Sequence, residues 1–515
     1  MDEVITYSTL ALTVTVAVTR PRVGSTWRLG PAQAALAGMM VLLLVGVVSP
    51  AEVWATGAEL WRSFATIVAI MVMTSAAMQL GVLRGLARIL FSRSDTSAQQ
   101  LFLYVFLLSA VASSVLNNDA MVLLMTPLVL SLVQERYPDR PDLRAPFAFA
   151  VFMAVGVAPF VVSNPMNMIV ADYADVNFNQ YARWMVPIAL VGWVIAFAVL
   201  RLVFGRRLAE VPSTDHQPPK ERLRSEQRWM IGLLLAVVAA YPVVAMVDGP
   251  SIWIVAVVGA VVAVLIAWTG GGVPLRETVV RGVAWNILAF LFAVVVIALG
   301  LRNVGFVGLL ASLYDGASIG LIGPVAAVGS SMLNNHPMAI LNLLALESLP
   351  ETGRPEIFAM LIGGDLGPRL LPIGSLAGLL WLDGCRRMGL TIRLRQFVTM
   401  GVLVTTPTLA ASLLVLHIES RDWPSLAELP QTEVHVVVDA PGRSYAGVEA
   451  VCPGGWRVHV PVRDGVATLP AFPSTGCALH FKGGGPRTVV EVLPQAATLR
   501  CTITGDDARC EAVIE

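Results

Sequence analysis

Ser113-Ser-Val-Leu-Asn-Asn-Asp119 and Ser330-Ser-Met-Leu-Asn-Asn-His336 are near copies of one heptapeptide, set 217 residues apart. Both lie in apolar sequence. Leu101 to Leu116 and Ala120 to Val133 flank the first copy, and Ile319 to Leu333 and Met338 to Leu346 flank the second. Each flank is too short for a comfortable membrane span, yet the polar tip falls at membrane depth. Non-helical backbone at that depth is tolerated only where protein buries it or where it lines a cavity. A re-entrant hairpin meets that condition better than a pair of ordinary spans, so each copy reads as a hairpin tip. An isolated Asn-Asn in a membrane helix is usually an interhelical hydrogen-bonding pair. Two copies in one setting point instead to a duplicated site.

A second feature repeats in step. After the first hairpin, Phe147 to Tyr173 reads as a helix broken at Ala158-Pro-Phe-Val-Val-Ser-Asn-Pro-Met-Asn167. After the second, Ile357 to Asp383 is broken at Gly363-Gly-Asp-Leu-Gly-Pro-Arg-Leu-Leu-Pro-Ile-Gly-Ser375. Proline removes a donor and frees a carbonyl, while glycine lets backbone approach a ligand. Gly/Pro-interrupted segments in corresponding halves mark the midplane site of a secondary transporter.

Composition agrees. The chain has 515 residues, 56% hydrophobic and 14% charged, with zero formal net charge, where soluble domains carry about 25% charged residues. That balance excludes disorder, a basic nucleic-acid-binding surface and an ordinary soluble enzyme. No nucleophile elbow, P-loop, zinc-hydrolase motif or dinucleotide fingerprint appears, and no cofactor is implied. Apolar runs of roughly 18 to 25 residues recur over the first 420 positions. The N-terminus has neither a charged n-region nor a small-residue cleavage site, so Val4 to Val18 reads as a short first span. The expected fold is an all-α polytopic membrane protein with eight spans, two re-entrant hairpins and two broken helices. Its transmembrane domain covers 1–420, with repeat 1 at about 31–203 and repeat 2 at about 229–417. Loops placed inside carry 22 Arg and Lys, and loops placed outside carry four (Arg62, Arg183, Arg302, Arg354). By the positive-inside rule the first hairpin has both ends inside and the second both ends outside, so the repeat is inverted.

The final span, Phe397 to Leu416, then exits outward. Past a linker at 421–432, residues 433–515 alternate β-branched residues with turn formers, as in a small antiparallel β-domain outside the cytoplasm. Four of the five cysteines lie there: Cys452, Cys477, Cys501 and Cys510. An even count in an oxidising compartment suggests two disulfides. Cys501 and Cys510 flank a Thr-Gly-Asp-Asp-Ala-Arg stretch suited to a hairpin. A zinc site shared with His435, His459 or His480 is the rival, though CxxC spacing is lacking.

Asn117, Asn118, Ser163, Asn164, Asn167, Asn334, Asn335 and Ser375, with freed carbonyls, form a candidate cage of donors and acceptors. Asp119, Asp365 and Arg369 are ionisable groups at membrane depth, costly unless paired or solvated. Asp365 and Arg369 lie four apart and pair if the stretch is helical. Either that ion pair braces the break, or Asp119 or Asp365 carries a proton while Arg369 tunes it. His336, in the place equivalent to Asp119, forms an acid/imidazole couple with it or is a passive hydrogen-bond donor. Asp172, Asp383 and Arg302 read as solvated or snorkelling, and Cys385 as inert.

From about Pro31 to Leu416 the chain resembles the arsenical pump membrane proteins (ArsB type) of the ion transporter superfamily. The resemblance rests on Leu116-Asn-Asn-Asp-Ala, Val162-Ser-Asn-Pro-Met-Asn-Met-Ile-Val-Ala-Asp172, Met332-Leu-Asn-Asn-His-Pro337 and Gly364-Asp-Leu-Gly-Pro-Arg-Leu-Leu-Pro-Ile-Gly-Ser-Leu-Ala377, followed by Leu379-Leu-Trp-Leu382. It implies efflux of arsenite and antimonite driven by inward protons, through an elevator-like inverted-repeat scaffold in the lipid bilayer of the bacterial inner membrane. It also implies coupling to a separate soluble arsenite-stimulated ATPase. His336 stands where the family more often has an apolar residue, and Met338 replaces a nearby hydroxyl residue. The tail lies outside the core family and looks similar to small carboxypeptidase-regulatory-like or Ig-like sandwiches. Arsenite at neutral pH is mostly the uncharged trihydroxide, which a cage of amides and hydroxyls suits. A sodium/proton antiporter of the same superfamily is the alternative, since Asp119 and freed carbonyls also suit a small hard cation. An anion carrier has only Arg369 as fixed positive charge. A membrane-held binding module needs no duplicated breaks.

Overall fold

The computed structural model describes residues 2–19, 22–23, 27–28, 30–92, 97–116, 118–174, 176–211, 222–246, 252–347, 349 and 354–420. In the tail it describes 433–439, 447–451, 457–462, 465–470, 477–482, 487–490, 498–504 and 507–513. The first half begins with α1 (Asp2–Thr19), a short ribbon of β1 (Arg22–Val23) and β2 (Trp27–Arg28), then α2 (Pro31–Val45) and α3 (Pro50–Gln79). Ser49 starts α3 with a capping box: its Oγ accepts from the Glu52 amide at 3.2 Å, and the Glu52 carboxylate accepts from the Ser49 amide at 2.7 Å. The apolar, membrane-crossing part of α3 begins at Leu60. Then come α4 (Val82–Phe91), the hairpin α5 (Ala98–Val115) and α6 (Asn118–Arg136), the interrupted pair α7 (Arg144–Ala154) and α8 (Pro165–Tyr173), and α9 (Phe178–Ala209).

The second half repeats that order. It runs α10 (Ser225–Val244), α11 (Ile252–Gly271), α12 (Trp285–Asn303), α13 (Phe306–Tyr314), the hairpin α14 (Ile319–Leu333) and α15 (Asn335–Glu347), the interrupted pair α16 (Arg354–Leu366) and α17 (Leu376–Arg387), and α18 (Leu394–Glu419). The matching extends to single residues. Gly81 (φ +70°) turns the chain into α4 and Gly305 (φ +82°) turns it into α13, both in left-handed backbone that a Cβ disfavours.

Among the described residues seven helices are long and apolar enough to cross a membrane. One of them, α18, contains the expected final span Phe397 to Leu416, and another is hairpin arm α5, which the sequence reading took as too short. The expected first two spans are the helices α1 and α2, the latter of only 15 residues. Exposed Leu190, Val194 and Leu202 on α9, and Val258, Val261 and Trp268 on α11, form the apolar exterior that hydrocarbon requires.

Both breaks differ from their expected limits. The first opens at Val155, because Gly156 and Pro159 follow, and closes at Asn164 rather than Asn167. Pro165 occupies the first position of α8, where a missing N–H costs nothing. The second opens only at Gly367; Gly363 and Gly364 stay helical. Their role is close approach: a Cβ on Gly363 would run into the Gly323 carbonyl oxygen of α14. The halves also interlock. α17 of the second repeat packs on α6 of the first, and α8 of the first packs on α15 of the second. Buried Trp381 anchors α17 by donating to the Ala148 carbonyl at 3.0 Å, within a cluster with Phe149, Phe152 and Phe397.

Beyond α18 lie β3 (Glu433–Asp439), β4 (Gly447–Val451), β5 (Arg457–Pro461), β6 (Val466–Pro470), β7 (Cys477–Lys482), β8 (Arg487–Val490), β9 (Thr498–Thr504) and β10 (Asp507–Val513). They form two four-stranded sheets, ordered β10-β9-β3-β6 and β5-β4-β7-β8. Val436, Val448, Leu469, Leu479, Phe481 and Leu499 are buried in their shared core. The expected all-antiparallel pairing needs one correction: β3 and β9 are parallel, because the chain passes through the other sheet before returning beside β3. Cys501 and Cys510 face each other across β9 and β10 and form a disulfide, so the rival zinc site loses two ligands. No group of three or more His, Cys, Asp or Glu able to hold a metal occurs among the described residues. Cys477 opens β7, and Cys452 lies outside the described residues.

Candidate site at the hairpin tips and helix breaks

Interlocking brings both hairpin tips and both breaks to one place. They enclose a cavity of about 40 Å³, room for about three water molecules. Asn118 and Asp119 enter from the first tip and Asn335 and His336 from the second. The first break and the helix ends beside it contribute Phe152, Val155, Asn164 and Pro165; the second break and its helix ends contribute Asp365, Arg369, Ser375 and Ala377. Asn164 and Ser375 occupy corresponding positions. Each follows a 3-10 turn and caps the next half-helix, Asn164 accepting from the Met166 amide at 3.2 Å and Ser375 from the Gly378 amide at 3.0 Å.

Asp365 and Arg369 do not pair with each other; no ion pair between them forms among the described residues. The helix ends at Leu366 and a 3-10 turn carries Arg369 away. Both side chains instead cross to the first break. Asp365 accepts from the Ala158 amide, Asn164 Nδ2 and Asn167 Nδ2, each at 3.0 Å. Arg369 donates to the Val155 carbonyl (Nε at 2.9 Å, Nη2 at 2.6 Å) and to the Met153 carbonyl (Nη2 at 2.7 Å). Those carbonyls end α7, where a cation also meets the negative end of the helix dipole. The same device recurs elsewhere: Arg136 donates to the Phe91 carbonyl ending α4, and Arg144 to the Met388 carbonyl capping α17.

The contact runs the other way from Asp119, whose carboxylate accepts from the Ala377 amide at the start of α17. At the second tip Asn334 is the only non-glycine with positive φ (+80°) among the described residues, a conformation that ordinarily costs about 1–3 kcal/mol. Its Oδ1 lies 3.3 Å from His336 Nδ1 and accepts the His336 amide at 3.4 Å. Three buried polar atoms around the cavity have no hydrogen-bond partner: Arg369 Nη1, Asn335 Oδ1 and His336 Nε2. Their residues are 2%, 8% and 5% exposed.

Asn118, Asp119, Asn164, Asn335, His336, Asp365, Arg369 and Ser375 of the expected set therefore line one cavity. Asn167 stands behind it, bonded to Asp365 and at 2.7 Å to Tyr181 Oη. Ser163 points away and donates to the Ser114 carbonyl at 2.7 Å. Asn334 faces a second cavity of about 320 Å³, bounded also by Gln33, Asn286 and Phe290. Asn117 lies outside the described residues. A third cavity of about 180 Å³ lies between Glu52, Thr56, Arg302 and Leu343. Outside the site, Asp172 accepts from Ser63 at 2.9 Å and Asp383 pairs with Arg387 at 2.6 Å, so both have protein partners besides solvent. Cys385 is a buried free thiol.

Sequence reasoning missed Tyr181, which donates to the Ala158 carbonyl at 3.2 Å and steadies Asn167. A phenol inside the apolar run of α9 was the available signal. It also missed the Met153 and Val155 carbonyls, which leave no mark in side-chain identity.

Comparison with known proteins follows the same lines. A family model described as arsenical pump membrane protein matches residues 8–420. An arsenical pump membrane protein of Escherichia coli is 27% identical over 424 residues, covering 79% of this chain and 96% of that protein. One from Yersinia enterocolitica is 27% identical over 427 residues, covering 79% and 97%. Among solved structures, the YdaH transporter of Alcanivorax borkumensis superposes with a TM-score of 0.53 at 16% identity, over 82% of this chain and 97% of that one. MtrF of Neisseria gonorrhoeae gives 0.52 at 11%, over 81% and 94%. These two likenesses are of fold.

Proposed function

The chain belongs to the arsenical pump membrane protein family, and on that footing we propose that it exports arsenite and antimonite from the cytoplasm in exchange for protons. The observation that carries the reading is the set of unpartnered atoms around the central cavity: a donor at Arg369 Nη1, an acceptor at Asn335 Oδ1, and His336 Nε2, which serves as either. A trihydroxide both donates and accepts at every oxygen and matches such a mixed set. A sodium ion takes acceptors only and meets the Arg369 charge. An anion meets the Asp119 and Asp365 carboxylates and the Asn335 oxygen. The antiporter and anion-carrier readings are therefore served less well.

A neutral solute gains nothing from the membrane potential. A counter-moving proton gains about 2.3 kcal/mol per 100 mV, so a carboxylate in the cavity supplies the coupling. The protein resides in the bacterial inner membrane, with the two repeats in 1–420 acting as the transporter and 433–515 as an accessory domain outside the cytoplasm. The arginine distribution and the Cys501–Cys510 disulfide support that orientation.

The test is radiolabelled arsenite accumulation in everted vesicles stripped of peripheral proteins and energised by respiration, with and without a protonophore. Accumulation that the protonophore abolishes supports the reading and shows that no soluble ATPase is required. Well-expressed protein that moves no arsenite but moves protons when sodium is added overturns it. A chain truncated after Arg421 should accumulate arsenite as the full chain does.

A further inference from the structure

We infer that, within this proton-coupled reading, Asp119 is the group that binds and releases the coupling proton, while Asp365 and Arg369 form a permanently charged clasp between the two repeats. The inference rests on the export reading and on the hydrogen-bond polarity of each carboxylate. Asp365 meets donors at both oxygens: Asn164 Nδ2 at Oδ1, and the Ala158 amide with Asn167 Nδ2 at Oδ2. The Ala158 amide is backbone and cannot reverse. Asn164 cannot turn over without losing its cap on Met166. A proton on Oδ2 would compete with two N–H donors and one on Oδ1 would weaken its bond from Asn164, so the three donors favour the anion.

Asp119 differs. An amide such as that of Ala377 bonds to one carboxyl oxygen whether or not the other carries a proton. The charge balance agrees. The charged or titratable side chains lining the cavity among the described residues are Asp119 on α6, His336 on α15, Asp365 at the end of α16 and Arg369 in the turn after it. Asp365 and Arg369 offset each other and leave one carboxylate in excess. As an anion, Asp119 accepts a hydroxyl hydrogen of the trihydroxide. A proton arriving from outside converts that oxygen to O–H, removes the acceptor and releases the solute. The same proton leaves to the cytoplasmic side, and no bond other than O–H forms or breaks.

The experiment uses the full chain in proteoliposomes, with arsenite flux measured under an imposed pH gradient and in its absence. Asp119→Asn should lose gradient-driven accumulation at least tenfold, and any downhill arsenite flux it keeps should be insensitive to protonophore. Asp119→Glu should restore accumulation. Arsenite added to weakly buffered wild-type protein in detergent should release protons, and Asp119→Asn should release none. Gradient-driven accumulation by Asp119→Asn within twofold of wild type overturns the inference, as does undiminished proton release from that variant. If wild type itself neither accumulates nor binds arsenite, the export reading fails, and the inference fails with it.

Discussion

Replacing Arg369 with glutamine should destabilise the whole membrane part rather than the cavity alone. Arg369 is 2% exposed and makes three hydrogen bonds to two carbonyls at the end of α7. Glutamine is too short to reach both, and each buried carbonyl left unsatisfied costs about 1–3 kcal/mol. Removing the cation also leaves Asp365 uncompensated, and breaking a buried charge arrangement by deleting one partner costs about 3–5 kcal/mol. The two losses overlap, so the expected total is about 3–5 kcal/mol. Lysine keeps the charge but reaches one carbonyl at best and should cost about 1–3 kcal/mol. The assay is the heat-induced loss of monodisperse protein in detergent, followed by fluorescence-detected size-exclusion chromatography. The order of midpoints should be wild type, Arg369→Lys, Arg369→Gln. Adding Asp365→Asn to Arg369→Gln should cost less than the sum of the single changes, because the charge left unpaired is then removed. A glutamine variant that melts with wild type, or a strictly additive double variant, would refute the clasp.

Three further outcomes are expected. Gly363→Ala forces α16 away from the Gly323 carbonyl of α14; overpacking of this kind costs about 1–3 kcal/mol and should lower the melting midpoint, whereas Gly232→Ala, which meets open space, should leave it unmoved. At Asn334 (φ +80°), glycine should melt above alanine, since only glycine relieves a strain of about 1–3 kcal/mol; equal midpoints would argue against strain at the tip. The Ser49 amide, with Ser49 Oγ and Asn303 behind it, holds the Glu52 carboxyl below the usual glutamate range. A depressed folded value stabilises above the unfolded value of about 4.3 and is lost as pH falls through the folded one, so Glu52→Gln should melt below wild type at pH 7 and the gap should narrow as the pH falls below the unfolded value.

The repeated heptapeptides and the two Gly/Pro stretches made the hairpins and breaks legible, because membrane depth forbids most other uses of such residues. The limits of the breaks were less so. Gly363-Gly364 resembles an unwound segment in sequence, but its hydrogens admit a neighbouring helix. The partners of Asp365 and Arg369 were hidden for a different reason. Spacing of four suggests a pair only if the helix continues, and here a 3-10 turn follows: Arg369 goes to carbonyls and Asp365 to one backbone amide and two asparagine amides, all some 200 positions earlier, a pairing that spacing does not encode. Asn334 and Asn335 are adjacent and chemically alike, yet the kink at Asn334 turns one to each cavity. In the tail the strands could be read from alternation, whereas the parallel pairing of β3 with β9 depends on long-range topology.

The central claim is tested most directly by recording arsenite and proton movement together, in proteoliposomes containing this chain alone and no sodium. The account predicts that an imposed pH gradient drives arsenite uphill, and that an arsenite gradient alone drives protons the opposite way until a protonophore collapses both. Proton movement that ignores arsenite and starts only when sodium is supplied would contradict it.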